Sequence, residues 1–466
     1  MKKVIIIGGG ITGLSTAWRL SENNFEVNIL ESDKFIGGLA KTVDIGNYKV
    51  DLGPHSFLSE DKEIFNKVMG LFEGEKSEIP FSKRKVKMVF KGKYVDYPLS
   101  VKSVLFQMGF FAPILSSLSF AKSYIGESIS SVLYGKKEDH NKTVEEWAIG
   151  NFGKYLYENF FKLYTEQFWK IKTSELSHKV IPSSVKMNFA KTLKHLLIKN
   201  YLHLSRREPT NLSLVQRESL PSFYPKKGFG EIAKRMGKKI LDKGGKIHIN
   251  QEVKKIVINS KNSFDVETND KTFSSDYVVS TIPLNKVISK IHPVPKDEII
   301  NSAKKLEYLC LIIVYLIVKK KDVLGCQYVY FLDRPYNRIF EMNSFSEHTS
   351  PKEENIIGLE ISSHFGEEIW NATNEEIFET CMKGIAKDSF LKLKREDIVD
   401  YKIIKTPSVY PIYRKDYDIH LKKTQNCFSN IESFFSIGRQ GQFYYGDIDQ
   451  MIRVGFDTAS KIINKK

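Results

Sequence analysis

Three glycines near the start of the chain are spaced for phosphate chemistry. Gly8, Gly10 and Gly13 form G-x-G-x-x-G between the apolar run Val4 to Ile7 and the helical pattern LSTAWRLSENN. In such a strand, turn and helix, one glycine makes the tight turn, one lets the backbone approach a pyrophosphate, and one lets the helix close on the strand. The helix N-terminus then presents free N–H groups and a positive dipole end to the phosphates. A second strand-like stretch, Phe25 to Leu30, ends at Glu31, 18 positions past Gly13. A carboxylate there accepts hydrogen bonds from a ribose 2′-OH and repels a 2′-phosphate. Next, DKFIGGLAKT places Gly37 and Gly38 where backbone can come close to a bound cofactor. After the hairpin-like VDIGNYKVDLG come Pro54 and His55, and a histidine in a Gly-Pro turn just past a strand is placed for a site.

The elements that position these residues read as α/β. At 466 residues the length suggests roughly two or three domains. Phe81 to Leu99 alternates apolar and polar residues around Lys91-Gly92, a β-hairpin with an exposed basic face. From about Ser100 to Lys199 the periodicity is helical, and Arg206 to Ser222 reads as a linker. PSFYPKKGFGEIAKRMGKKILDKGG is a glycine turn entering an amphipathic helix, followed by the short strands KIHIN, EVKKIVINS, SFDVETN and DYVVSTIP. From about Leu306 to Thr406 the pattern favours an antiparallel sheet, with Leu309 to Val318 a buried strand. Near the C-terminus a strand ends at Ile437, Gly438 and Gly441 permit an unusual backbone path, and a helix begins near Ile448.

Composition narrows the classes. The net charge of +16 favours anionic partners such as nucleotides, phosphates or a lipid surface. The lysines are scattered, without a long basic block or a nucleic-acid module, so no nucleic-acid partner is expected. Cys310, Cys326, Cys381 and Cys427 lie far apart without CxxC spacing, which indicates neither a zinc site nor a disulfide framework and fits a reducing, cytoplasmic compartment. The chain opens directly into a strand, without a secretory n-region and h-region. The apolar run Val104 to Phe120 is interrupted by Gln107, Ser116, Ser117 and Ser119, and reads as a buried or membrane-touching helix rather than a span. Peripheral membrane association therefore stays open. There is no GxSxG elbow, no HExxH and no pair of carboxylates placed together for acid–base work.

GGGITGL, the acid at Glu31, GGLAKT and DLGPHSF together resemble the FAD-binding region of the amine oxidase superfamily. Within it they are most similar to the UDP-galactopyranose mutases and their protoporphyrinogen-oxidase-like relatives, with Leu39 after the glycine pair where amine oxidases carry arginine. The resemblance implies FAD as cofactor and a discontinuous Rossmann-like FAD-binding domain in three parts, 1–99, 216–290 and 426–466. A mainly helical insertion at 100–215 and an antiparallel-sheet substrate domain at 291–425 complete the expected organisation. It implies that Val253 lies near the adenine, and that Gly228 and Gly230 form a turn at the boundary between substrate and flavin. FFSIGRQGQFYYGDIDQMIRVG resembles the family stretch of the form GR-x-G-x-x-x-Y-x-N-M-D. Gly438, Arg439 and Asp449 would hold the flavin end there, with a helix N-terminus toward the pyrimidine carbonyl.

The resemblance also implies a substrate site. Lys162 stands where mutases carry an arginine for the substrate diphosphate, with Leu163 where proline is usual, and lysine lacks the planar fork of arginine. The surrounding aromatics, Trp147 to Trp169, read mostly as core. Arg338 matches a second diphosphate-binding arginine and Tyr410 a tyrosine reaching the diphosphate, with Tyr444 or Tyr445 beside it and His55 by the flavin. Two reactions follow from the resemblance. In one, reduced flavin attacks the anomeric carbon of a UDP-sugar and the ring recloses in the other size, with no net redox change and with an external reductant to charge the cofactor. In the other, oxidised flavin takes a hydride from an apolar substrate.

Overall fold

The computed structural model describes residues 1–82, 84–90, 92–97, 118–119, 142–181, 220–259, 263–388 and 390–465. The expected apolar helix Val104 to Phe120 (save 118–119), the linker (save 220–222), Lys91 and most of the 100–215 insertion lie outside them.

The first glycine turn leaves the central strand of a five-stranded parallel sheet. The strand order is Phe434–Ser436, Tyr277–Ser280, Lys3–Ile7, Glu26–Leu30 and Lys246–His248. These strands come from three distant stretches of chain, and the largely apolar, buried Lys3–Ile7 and Tyr277–Ser280 at the middle of the sheet need both faces covered. Helix Ile11–Ser21 is buried along nearly its whole length, between this sheet and the final helix Ile448–Ile463. Small residues allow that fit: a Cβ at Gly13 would lie 2.2 Å from the Gly8 carbonyl oxygen, and one at Gly455 would lie 2.1 Å from Ser15 Oγ.

A seven-stranded sheet forms the second body, in the order Ile398–Pro411, Tyr308–Val318, Asn355–Ser363, Arg338–Glu341, Tyr328–Phe331, Val86–Phe90 and Lys93–Tyr97. Its pairings are antiparallel except that of Tyr328–Phe331 with Val86–Phe90. Within the expected 81–99 stretch, Val86–Phe90 and Lys93–Tyr97 pair as a hairpin at the edge of this sheet, whereas Phe81–Ser82 pairs with Ser222–Phe223. Tyr308–Val318 is buried throughout, as its unbroken apolar run requires. Leu311, Ile313 and Tyr315 face the core shared with the parallel sheet, whereas Ile312, Val314 and Leu316 face helix Asn374–Ile385. That helix lies inside the stretch expected to be strand-rich. Its Thr373 to Glu376 capping box starts it, and Ile377, Phe378, Cys381 and Ile385 bury one face.

The strands EVKKIVINS and SFDVETN form a separate four-stranded sheet with Thr272–Ser275 and Ile291–His292. The described part of the insertion is helical: Val144–Leu156, a π-helical turn Tyr157–Phe161, and Lys162–Trp169. Among the described residues no helix is long and apolar enough to cross a membrane.

Candidate functional site

Between the parallel sheet, the seven-stranded sheet and the helical segment lies a cavity of about 950 Å³. Pockets for small ligands span roughly 300–1,000 Å³, so this one has room for a large cofactor. Its floor is backbone. Gly8 (φ +100°), Gly10, Gly37 (φ +110°) and Gly38 (φ +56°) all line it, with Ile11 and Thr12 of the first helical turn. Gly10 is the N-cap and has no side chain to occupy the first N–H groups, which leaves them for an anion. The two glycine turns also hold each other: the Gly37 N–H donates to the Gly9 carbonyl at 2.8 Å, and a Cβ at Gly38 would lie 3.1 Å from Gly10 Cα. Glu31 lines the same end. Its carboxylate accepts the Gly9 N–H at 2.7 Å and the Asp33 N–H at 2.8 Å, and keeps lone pairs for a ribose.

The opposite end is formed by the C-terminal turn. Gly438 (φ +81°) presses on the first helix, where a Cβ would come 2.8 Å from Thr12 Oγ1. Asp447 caps the last helix in a reciprocal box with Gln450, and Asp449 in its first turn accepts the Ser59 hydroxyl at 2.9 Å. Arg439 donates to the Gly446 carbonyl at 2.6 Å and lies 5.6 Å from the ring centroids of both Tyr410 and Tyr445. This set of glycine turns, ribose-facing acid and helix N-termini at two ends fits a dinucleotide such as FAD.

A second arginine repeats the arrangement on the sheet. Register places Tyr330, Arg338 and Glu360 side by side on adjacent strands. Arg338 lies 5.3 Å from the Tyr328 centroid and 5.7 Å from that of Tyr330, and forms a two-pronged pair with Glu360 at 2.6 and 2.9 Å. His55 lies within reach of both positive charges. Burial first, then Arg338 and Arg439, push its imidazole down to about 4, so it is neutral at physiological pH. Its Nε2 is buried without a hydrogen-bond partner among the described residues. Burial raises the phenols of Tyr164, Tyr410 and Tyr445, which remain donors.

His55, Arg338, Tyr410, Tyr445, Arg439, Asp449, Glu31, Gly37, Gly38 and Leu39 therefore all line one cavity, whereas Gly13 acts behind it by close packing. Two expected site residues are elsewhere. Lys162 is exposed: Phe161, Tyr164, Thr165 and Trp169 take the inner face of its helix, and Lys162 with Leu163 takes the outer one. Val253 is buried in the apolar cluster of Ile5, Ile7 and Leu30, and is not among the described residues that line the cavity. Tyr444, the alternative to Tyr445, is 44% exposed outside it. Gly228 and Gly230 do form a tight turn, packed on Thr42. Tyr328, Tyr330 and Arg84 escaped the sequence reading. Arg84 Nε donates to Ser56 Oγ at 2.8 Å, beside His55. The alternation in CQYVYFL puts both tyrosines on one face, and pairing with RIFE would have placed them beside Arg338.

Comparison with known proteins agrees with this geometry. Residues 11–400 match the family of flavin containing amine oxidoreductases. The chain belongs to that family. This flavoenzyme's cofactor is FAD. Over 185 residues, 39% of the chain, it is 29% identical to a protein of Klebsiella pneumoniae described as a probable UDP-galactopyranose mutase. Over 57 residues, 12% of the chain, it is 44% identical to a 1-hydroxycarotenoid 3,4-desaturase of a Flavobacterium species. These matches span 44% and 12% of the two relatives' lengths. A crystal structure of reduced UDP-galactopyranose mutase superposes with a TM-score of 0.79 at 19% identity, covering 100% of this chain and 94% of that one.

Proposed function

We propose that this flavoenzyme is a mutase of nucleotide sugars, of the UDP-galactopyranose type, that interconverts two ring sizes of the sugar. The observation that carries the reading is the pair of arginines, Arg338 and Arg439, each flanked by two tyrosines and facing one cavity that already fits FAD. Reduced FAD supplies a nucleophilic ring nitrogen. The chain's own residues would do the rest. Arg439 and the free edge of Arg338 would hold the diphosphate as charge-assisted donors. The phenols of Tyr410 and Tyr445, kept protonated by burial, would donate to its oxygens and orient the leaving group. His55, neutral with an unused Nε2, would take a sugar hydroxyl without adding charge beside the anomeric carbon. Phe152, Leu156, Phe161 and Ile181 exclude water from the same space. An external reductant is required to charge the cofactor.

The test is incubation of dithionite-reduced and oxidised protein with UDP-galactopyranose and a panel of nucleotide sugars. Ring-contracted product from the reduced form alone is expected. Absence of binding and turnover for every nucleotide sugar would overturn the reading. One observation favours a second: the fork of Arg338 is occupied by Glu360, and the neighbouring wall is apolar. A hydride-removing enzyme for an apolar substrate would suit that wall, and bleaching of oxidised FAD by such a substrate would establish it.

A further inference from the structure

Asp51 is fully buried and lines neither end of the cavity. It closes the hairpin Thr42–Ile45 and Tyr48–Asp51, two residues before Gly53. Its carboxylate collects donors from two separate parts of the chain: the Thr42 hydroxyl, the Tyr224 hydroxyl at 2.6 Å and the Phe229 N–H at 3.2 Å. Tyr315, from the long strand of the seven-stranded sheet, donates to the Asp51 carbonyl at 2.5 Å, and the Gly53 N–H donates to the same carbonyl at 2.8 Å. Burying a carboxylate is costly even with such partners, and an apolar residue would close a hairpin more cheaply. The carboxylate has to be understood through what it holds.

What it holds is the surroundings of His55. Gly228 (φ +106°) and Gly230 lie so close to Thr42 that a Cβ at either would come 2.4 Å from one of its atoms. The Thr42 hydroxyl, bonded to Asp51, also accepts the Gly230 N–H at 2.8 Å, so the 228–230 loop is fixed at both ends of Phe229. The Phe229 ring then packs against His55, centroids 5.1 Å apart. His55 itself is carried by the turn that starts at the Asp51 carbonyl. We propose that Asp51 is the positioning residue for His55: its buried carboxylate fixes the phenyl ring that packs against the imidazole, in the same residue whose carbonyl starts the turn that carries it. This goes beyond the choice between the two reactions, because both would share that wall.

The experiment is NMR titration of the FAD-loaded protein with ring-labelled histidine, His55→Asn giving the assignment. Asp51→Asn offers one acceptor oxygen to three donors, so the knot loosens. Phe229→Leu keeps the carboxylate and removes the ring. In the native protein burial and the charges of Arg338 and Arg439 hold His55 near 4. Both variants are expected to raise its midpoint by about one pH unit or more as the ring gains water, and to shift the visible absorption of the bound flavin. The Asp51 carboxyl, raised to about 6, is already uncharged where His55 titrates, so removing its charge would by itself leave the midpoint in place. A midpoint unchanged or lowered in Asp51→Asn, or unchanged in Phe229→Leu, overturns the proposal. If Asp51→Asn does not fold, Tyr224→Phe, which removes one donor and keeps the carboxyl group, replaces it with the same two outcomes.

Discussion

At the phosphate end of the cavity the walls are backbone: Gly8, Gly10, Gly37 and Gly38, with Glu31 tied to them through the Gly9 N–H. At the far end they are side chains carried on a sheet, where Tyr330, Arg338 and Glu360 meet only because three strands pair in one register. The first end is specified by which side chains are absent. The second depends on which are present and on charges that must be matched away from water. Perturbation should therefore act differently at the two ends, with charge removal most costly at the second.

The largest effect is expected at Arg338. Its partner Glu360 has a side chain only 4% exposed, so Arg338→Ala leaves a buried anion without its fork. Breaking a buried pair in this way costs about 3–5 kcal/mol. Denaturant unfolding should show that loss, and the double variant Arg338→Met with Glu360→Leu should recover most of it. Arg439→Ala removes a partner from the Gly446 carbonyl rather than from an ion, and should cost about 1.5–3 kcal/mol. Equal losses at the two arginines would remove the contrast.

The turn that joins the two ends carries an opposed pair of titrations. Burial pushes the Asp51 carboxyl up to about 6. The native state then holds a proton that the unfolded chain releases from about pH 4 upward, so this group makes stability fall as pH rises from about 4 to 6. His55, held down to about 4, behaves in the opposite sense: the unfolded chain binds the extra proton, and stability rises with pH between about 4 and 6.5. Each is worth on the order of 3 kcal/mol, at 1.36 kcal/mol per pH unit of displacement. In the native protein they largely cancel. Thermal unfolding of His55→Asn should show stability falling across that window, and Asp51→Asn should show it rising. Parallel profiles in both variants would contradict the opposed signs.

The same contrast explains what the sequence disclosed. Gly8, Gly10, Gly13 and Glu31 were legible because backbone geometry in a local strand-turn-helix unit depends on spacing within a few tens of residues. The return of Tyr277–Ser280 and Phe434–Ser436 to the same sheet came from resemblance, since periodicity does not reveal which distant strands pair. Arg338 was found, but its pairing with Glu360 was not, because a cross-strand neighbour is fixed by register and nothing near either residue announces it. Tyr328 and Tyr330 were missed for the same reason. Nothing local in the hairpin-like VDIGNYKVDLG marks Asp51, because Tyr224, Phe229 and Tyr315 reach it from far along the chain.

Lys162 is where local pattern and three-dimensional position part most plainly, and it carries the smallest expected effect. A motif assigns it to the diphosphate by its place in FFKLYTEQFW, yet helix geometry allows one inner face, and the apolar and aromatic residues Phe161, Tyr164 and Trp169 occupy it. A lysine on the opposite face would have to bury its ammonium and expel one of those rings to reach the cavity, a cost that no single phosphate contact repays. Lys162→Ala should therefore change stability by less than about 0.5 kcal/mol, as for other exposed positions. In isothermal titration with UDP its affinity should match that of the native protein, while Arg439→Ala loses roughly tenfold or more under the same conditions, as removal of a charge-assisted bond implies. A comparable loss at both positions would mean that the 162–169 helix rotates inward when ligand binds, and the substrate end would then be assembled by the ligand rather than by the register of the sheet.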